Sequence, residues 1–408
     1  MNVKKILLII IDGLGDRPIV ALNNQTPLEN ARTPNLSLLL ERGQCGLMDP
    51  IGVGIRSASD VSLLTLLGYD YEKEYTGRGP LEALGVGLSP KEGDLCFRVN
   101  FATVDSQMKI IDRRGGRVGD FSVFEKEINN IHLENAKIIF KAGVGHRAAL
   151  VLRGDGLSSK ISENDSHAVG KKALDVKPLD ATPEAKNTAG IVNEFVKKAW
   201  FLLKKHEENK KRIKQKLLPA NYLLLRGVGF PPTIPSFEQK YNLKAVCVAA
   251  EGLYRGMARA VGMQTLSVSG ATGRSDTDLV AKILTAKKNL AAHDFVLLHI
   301  KAADNLSHDG DFIGKRNFFE RLDVALKELI GTGAALIVIT GDHSSPCELK
   351  NHSGDPVPIV FLSEGIRKDS VKKFSERECA RGGVGRIKGK DLMNEILNLS
   401  GRARLYGS

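Results

Sequence analysis

Residues 295–308 read FVLLHIKAADNLSH. The run from Phe295 to Ile300 has strand length, and Lys301 and Asp304 follow it directly. Apolar residues at successive rather than alternate positions mark a strand buried on both faces. Two other stretches share this layout: Ile6 to Ile11 ends at Asp12, and Ala334 to Thr340 ends at Gly341, Asp342 and His343. A turn and then helical periodicity follow each run, as at Leu322, Ala325, Leu326 and Leu329. Buried strands alternating with helices predict an α/β fold with a mostly parallel sheet. Ligands of such sheets collect beyond the carboxyl ends of the strands, where these polar residues stand.

The middle of the chain has a different grain. Leu95 to Thr103, Lys109 to Arg113 and Arg147 to Arg153 read as shorter, more alternating strands. A helical pattern covers Pro183 to His206, and Pro231, Pro232 and Pro235 punctuate the chain beyond it. The expected organisation is a core of residues 1–77 and 263–408, interrupted by an α+β domain of residues 78–262.

A chain of 408 residues, 42% hydrophobic and 26% charged, is ordinary for a globular protein of two or three domains. No apolar stretch reaches the roughly 20 residues a membrane span needs. Asp12 cuts short the run after Lys4 and Lys5, so it does not read as a secretory signal. A cytoplasmic protein without a membrane partner is expected. Cys45, Cys96, Cys247, Cys347 and Cys379 are odd in number and lack CxxC spacing, which predicts free thiols. The net charge of +12 fits nucleic acid, an anionic surface or a phosphorylated small molecule. Much of it lies in KKHEENKKRIKQK, residues 204–216, which has no interleaved aromatics. That stretch is expected to be a solvated helix end and loop, and no nucleic-acid partner is expected.

Four clusters carry the chemistry. They are Asp12 in Ile-Asp-Gly, Asp304-x-x-x-His308, Gly341-Asp342-His343, and Asn351-His352-Ser353-Gly354-Asp355. Carboxylates and imidazoles of this kind ligate Zn, Mn or Mg. Gathered at the ends of parallel strands, they outnumber the needs of one four-coordinate ion and suggest two metals. Such a pair suits phosphoryl transfer. The nucleophile then comes from Arg56-Ser57-Ala58-Ser59-Asp60, ahead of the apolar helical stretch Val61 to Leu67. A serine there is either the helix cap or a hydroxyl that exploits the helix N-terminus for anion binding. The residues alone leave Ser57 and Ser59 even.

Together these motifs resemble the alkaline phosphatase superfamily, and within it the archaeal-type phosphoglycerate mutases that need no bisphosphoglycerate. The resemblance runs nearly end to end through IIDGLGDRPI, NARTPNL, GRGPLEALGVGL, FRVNFAT, DRRGGR, GHRA, ENDSH, NYLLLRG and GDHSSPCELKNHSGDPVPI. It implies an alkaline-phosphatase-like core with an inserted substrate-binding lid domain. One divalent ion would lie on Asp304, His308 and His352, and a second on Asp12, Ser59, Asp342 and His343. Mn is favoured over Co, Zn and Mg. The resemblance selects Ser59 over Ser57, because the family serine stands directly before an Asp. It implies interconversion of 3-phosphoglycerate and 2-phosphoglycerate through phosphoserine. The alternative is a metal-dependent phosphomonoesterase or another phosphomutase on the same centre. Candidate substrate contacts are Arg113, Arg114, Arg117, His146, Arg147, Asp165, Arg226 and Lys301. The chain departs from the family at Ala58, Val61 and Ser62, and at Arg255, where relatives carry lysine.

Overall fold

The computed structural model describes residues 3–117, 120–332, 335–405 and 407, leaving out the side chain of residue 117. It divides into unit 1, Met1–Tyr75 with Pro235–Ser408, and unit 2, Thr76–Ile234. The strands, in chain order, are β1 (Lys5–Ile11), β2 (Gly43–Asp49), β3 (Leu95–Val104), β4 (Ile110–Asp112), β5 (Lys137–Ala142) and β6 (Arg147–Arg153). They continue with β7 (Tyr222–Gly229), β8 (Ala245–Val248), β9 (Gln264–Leu266), β10 (Phe295–Ile300), β11 (Ala335–Thr340), β12 (Val357–Leu362) and β13 (Gly385–Lys388).

Unit 1 holds an eight-stranded sheet in the order β13-β2-β12-β11-β1-β10-β8-β9. Only β12 runs antiparallel to its neighbours. In the parallel trio β11-β1-β10, Ile9 lies opposite both Ile339 and Leu298. Leu7, Ile9 and Ile11 join one apolar cluster with Val296, Leu298, Ile337, Phe318 and Leu322. Ile6, Leu8 and Ile10 on the other face are equally inaccessible, which accounts for the unbroken apolar runs. The strand expected from Ala334 is described from Ala335, since residue 334 lies outside the described residues.

Unit 2 is an antiparallel sheet, β4-β3-β6-β5 with β7 on the other side of β3. Phe101 anchors its core, stacked on Phe121 at 4.9 Å and edge-on to Phe140 at 5.8 Å. The helix Pro183–Lys205 covers it with Val192, Phe195 and Ala199.

Two expectations need correction. Residues 235–262 belong to unit 1, because β8 pairs with β10; the proline cluster, rather than residue 263, marks the return. The basic stretch 204–216 is not wholly solvated. His206 turns extended and breaks the helix, a second helix spans Glu207–Lys214, and Arg212 is buried with its guanidinium on the carbonyls of Gly115 and Leu218. All five cysteines are free and buried: Cys96 in unit 2, and Cys45, Cys247, Cys347 and Cys379 in unit 1. Among the described residues, no helix is long and apolar enough to cross a membrane.

Candidate metal centre

Adjacent parallel strands bring their carboxyl ends together, so Asp12 after β1, Lys301 and Asp304 after β10, and Asp342 and His343 after β11 converge. Gly13 makes the approach possible. Its φ is +70°, and a Cβ there would stand 2.8 Å from the Asp304 Cα. Its amide donates to Asp342 Oδ1 at 3.2 Å.

Asp304, His343 and His352 place ligand atoms within 4.8 Å of one another, and so do Asp12, Asp342 and His343. His308 reaches the first group from a more exposed side, with Nε2 3.4 Å from Asp304 Oδ1. His352 Nε2 lies 3.4 Å from the same oxygen. Both imidazoles pair Nδ1 with a backbone carbonyl, His308 with Lys350 at 2.9 Å and His352 with Ser57 at 2.7 Å. An Nδ1–H donated to a carbonyl fixes the tautomer and leaves Nε2 as a free base, the usual preparation of a metal-binding histidine. His343 is held the same way, by Ser345 Oγ on Nδ1 at 3.0 Å. Its Nε2 then stands 3.3 Å from Asp12 Oδ1 and 3.5 Å from Asp342 Oδ2.

Ser59 is the first residue of the helix Ser59–Leu66, and Ala58 occupies the cap position. Its hydroxyl faces the centre, 3.1 Å from His343 Nε2. Ser57 instead pairs with Ser62 Oγ at 2.6 Å. Asp60 and Asp355 take no part: Asp60 accepts from Tyr75 at 2.8 Å, and Asp355 pairs with Arg17 at 2.7 Å.

The electrostatics are those of crowded buried charge. Burial alone would raise the Asp12 carboxyl, but Lys301, His299 and His343 hold it well below the usual range. Asp342 goes the other way, pushed up to about 6 by burial and by Asp12. Burial would lower His343, yet Asp342 and Asp12 raise it. Burial lowers His299 to about 4. Lys301 Nζ lies 2.9 Å from Asp12 Oδ2 and also bonds Asp304 Oδ2, so it ties the two acidic groups together. Asp12 Oδ1 is buried without a hydrogen-bond partner. An orphaned carboxylate oxygen beside prepared imidazoles fits a divalent cation.

The remaining candidates lie in unit 2. Arg113 grips Asp165 with two bonds of 3.2 and 2.6 Å, and Arg226 approaches the same carboxylate at 3.5 Å. His146 and Arg147 are half-buried at the start of β6, and Arg114 is exposed. The side chain of Arg117 lies outside the described residues. Sequence reading missed Arg78 and Arg98, which share the buried Glu82 at 3.1 and 3.7 Å. Burial and Arg78 push Arg98 down to about 9. It also missed Tyr254 and His299 beside Asp12. A histidine within the otherwise apolar β10 was a legible signal; Tyr254, from the helix Gly252–Ala260, offered none.

Sheet and donors together define an α/β protein with a candidate two-cation centre beside a buried serine. The family model described as 2,3-bisphosphoglycerate-independent phosphoglycerate mutase matches residues 41–209. A Methanocaldococcus jannaschii relative named 2,3-bisphosphoglycerate-independent phosphoglycerate mutase 1 is 44% identical over 100% of both chains. An Archaeoglobus fulgidus relative of the same name is 47% identical over 99% of this chain and 100% of its own. A solved Pyrococcus horikoshii protein superposes with a TM-score of 0.86 at 38% identity, covering 100% of both chains. The cofactor-independent phosphoglycerate mutase from Thermoplasma acidophilum gives 0.72 at 38% identity, covering 98% of this chain and 100% of its own. The chain belongs to the 2,3-bisphosphoglycerate-independent phosphoglycerate mutase family.

Proposed function

We propose that the protein interconverts 3-phosphoglycerate and 2-phosphoglycerate through a phosphoserine on Ser59, with two divalent cations, Mn favoured. The observation that carries this reading is the Ser59 hydroxyl lying 3.1 Å from His343 Nε2, against two clustered sets of carboxylate and imidazole donors. Asp304, His308 and His352 would hold one cation; Asp12, Ser59, Asp342 and His343 would hold the other. Bound there, the cations lower the pKa of a hydroxyl and neutralise charge on a phosphoryl group.

The chain's own residues supply the rest. Ser59 Oγ forms a bond to phosphorus as the bond to the glycerate 3-oxygen breaks; the serine loses a proton and the glycerate gains one. In the second transfer the glycerate 2-hydroxyl takes the phosphoryl group and Ser59 regains its proton. The N-terminus of the helix Ser59–Leu66 favours the negative charge that Ser59 carries. Lys301 limits repulsion between Asp12 and Asp304. Arg113, Arg226, Arg147 and His146 remain our candidates for recognising an anion through fork-shaped and imidazole donors, with Asp165 holding the first two. Five unpaired thiols suit a cytoplasmic setting.

Purified protein with Mn²⁺ and 3-phosphoglycerate, coupled to enolase, tests the reaction. Ser59→Ala should lower turnover by roughly 10³-fold or more while metal still binds. Labelled substrate quenched in acid should leave phosphate on Ser59. Release of free phosphate without 2-phosphoglycerate would replace the mutase reading with a phosphomonoesterase.

A further inference from the structure

The two oxygens of Asp12 have opposite surroundings. Oδ2 is crowded by Lys301 Nζ at 2.9 Å, His299 Nε2 at 3.2 Å and the Tyr254 hydroxyl. Oδ1 is buried and makes no hydrogen bond, and the neighbouring His343 Nε2 is itself a candidate cation donor. The crowding groups are fixed in place. The rings of Tyr254 and His299 stack with centroids 3.3 Å apart and planes 20° apart, and both residues are buried. The buried Lys282 donates to the His299 carbonyl at 2.5 Å, which holds the backbone that carries the ring. The Tyr254 hydroxyl also stands 3.5 Å from Asp342 Oδ2.

We propose that Tyr254 and His299 are positioning residues that saturate one oxygen of Asp12 and so reserve the other for the cation. This rests on reading Asp12, Asp342 and His343 as a cation site. A carboxylate free to rotate can chelate through both oxygens. Held by three donors on Oδ2, Asp12 gives a single atom. Asp12, Asp342 and His343 would then contribute one donor each and leave room beside them for Ser59 Oγ. Donors that orient a ligating carboxylate are known to govern metal affinity as well as activity. Tyr254 and His299 thus act through Asp12, without touching substrate.

The test is Mn²⁺ binding to the metal-free full-length protein, followed by the paramagnetic signal of unbound Mn²⁺ and by calorimetry. Asp12→Asn identifies the site in question. Tyr254→Phe, which keeps the ring and removes the hydroxyl, should weaken that site about 10–100-fold and spare the one on Asp304 and His352. His299→Leu should do the same, whereas His299→Gln, whose amide can still donate to Oδ2, should recover most of the affinity. Lost turnover in Tyr254→Phe should return at saturating Mn²⁺. If Tyr254→Phe and His299→Leu bind both ions as wild type does while Asp12→Asn loses one, the positioning role is wrong and the cation site stands. Equal weakening of both sites, or no distinction between His299→Gln and His299→Leu, also overturns it. Unchanged binding in Asp12→Asn removes the cation site and the proposal together. The two His299 variants carry the test if Tyr254→Phe does not fold.

Discussion

His352 is a useful probe because its two nitrogens have separable jobs. Nδ1 is engaged by the Ser57 carbonyl and Nε2 points at Asp304. His352→Ala should weaken one of two Mn²⁺ sites by roughly 100-fold or more, with turnover falling severely at low added metal and recovering in part at high metal; equilibrium dialysis and the coupled assay check both. Near-normal activity at low metal would remove His352 from the ligand set. At this scale much of the centre was legible. Asp12, Asp304, Asp342 and His343 sit directly after strands whose apolar runs are unmistakable, and short motifs flag His308 and His352. What stayed hidden depends on partners distant in the chain. Nothing near Tyr254 announces that its hydroxyl meets Asp12, 242 residues away. The residues alone left Ser57 and Ser59 even and the resemblance chose Ser59, which is the one that faces His343.

At the scale of elements, β1 does two things: it fills the sheet centre and it delivers Asp12. Ile9 is fully buried between β10 and β11. Ile9→Ala should cost about 2–5 kcal/mol, from lost burial and the cavity left behind. Urea unfolding should show it as a lower midpoint at unchanged slope. The parallel trio was readable because both faces of each strand are covered, so burial is written into consecutive residues. The expected helix Pro183 to His206 ends one residue earlier, at Lys205, where His206 turns extended and accepts the Glu208 amide on Nδ1. The helix Glu207–Lys214 was not separated from its neighbour because its inward side includes a charged residue, Arg212, held on the Leu218 and Gly115 carbonyls. Pattern reading counts such a residue as solvent-facing.

At the scale of the whole molecule, Glu376 links pH to stability. Its carboxyl accepts from the Asp16 amide at 3.1 Å and from Thr26 Oγ1 at 2.8 Å, next to the buried Lys315–Asp16 pair. Burial wins over these bonds and pushes it from 4.5 up to about 7. A folded-state pKa above the unfolded value gives stability that is complete below about 4.5 and lost as pH rises through about 7. Glu376→Gln should therefore lose less stability than wild type between pH 5 and 8, by on the order of 2 kcal/mol after allowance for partial exposure. Thermal melts across that range check the sign. The division into units was visible in the change of strand pattern and in the prolines, but its second boundary was misplaced by 28 residues: β8 is short, and nothing local shows that it pairs with β10.

The distribution of thiols has a practical consequence. Burial pushes Cys96, Cys247 and Cys347 up to about 12, so an aromatic disulfide reagent meets neither an accessible sulfur nor a thiolate in the native protein. Modification then waits on opening events, and its stopwatch is already divided. Cys96 is the single cysteine of unit 2, so mass spectrometry of partly modified protein under rising denaturant should time the opening of that unit separately from the four thiols of unit 1. All five thiols reacting at one common rate would mean that the molecule unfolds as a single cooperative body.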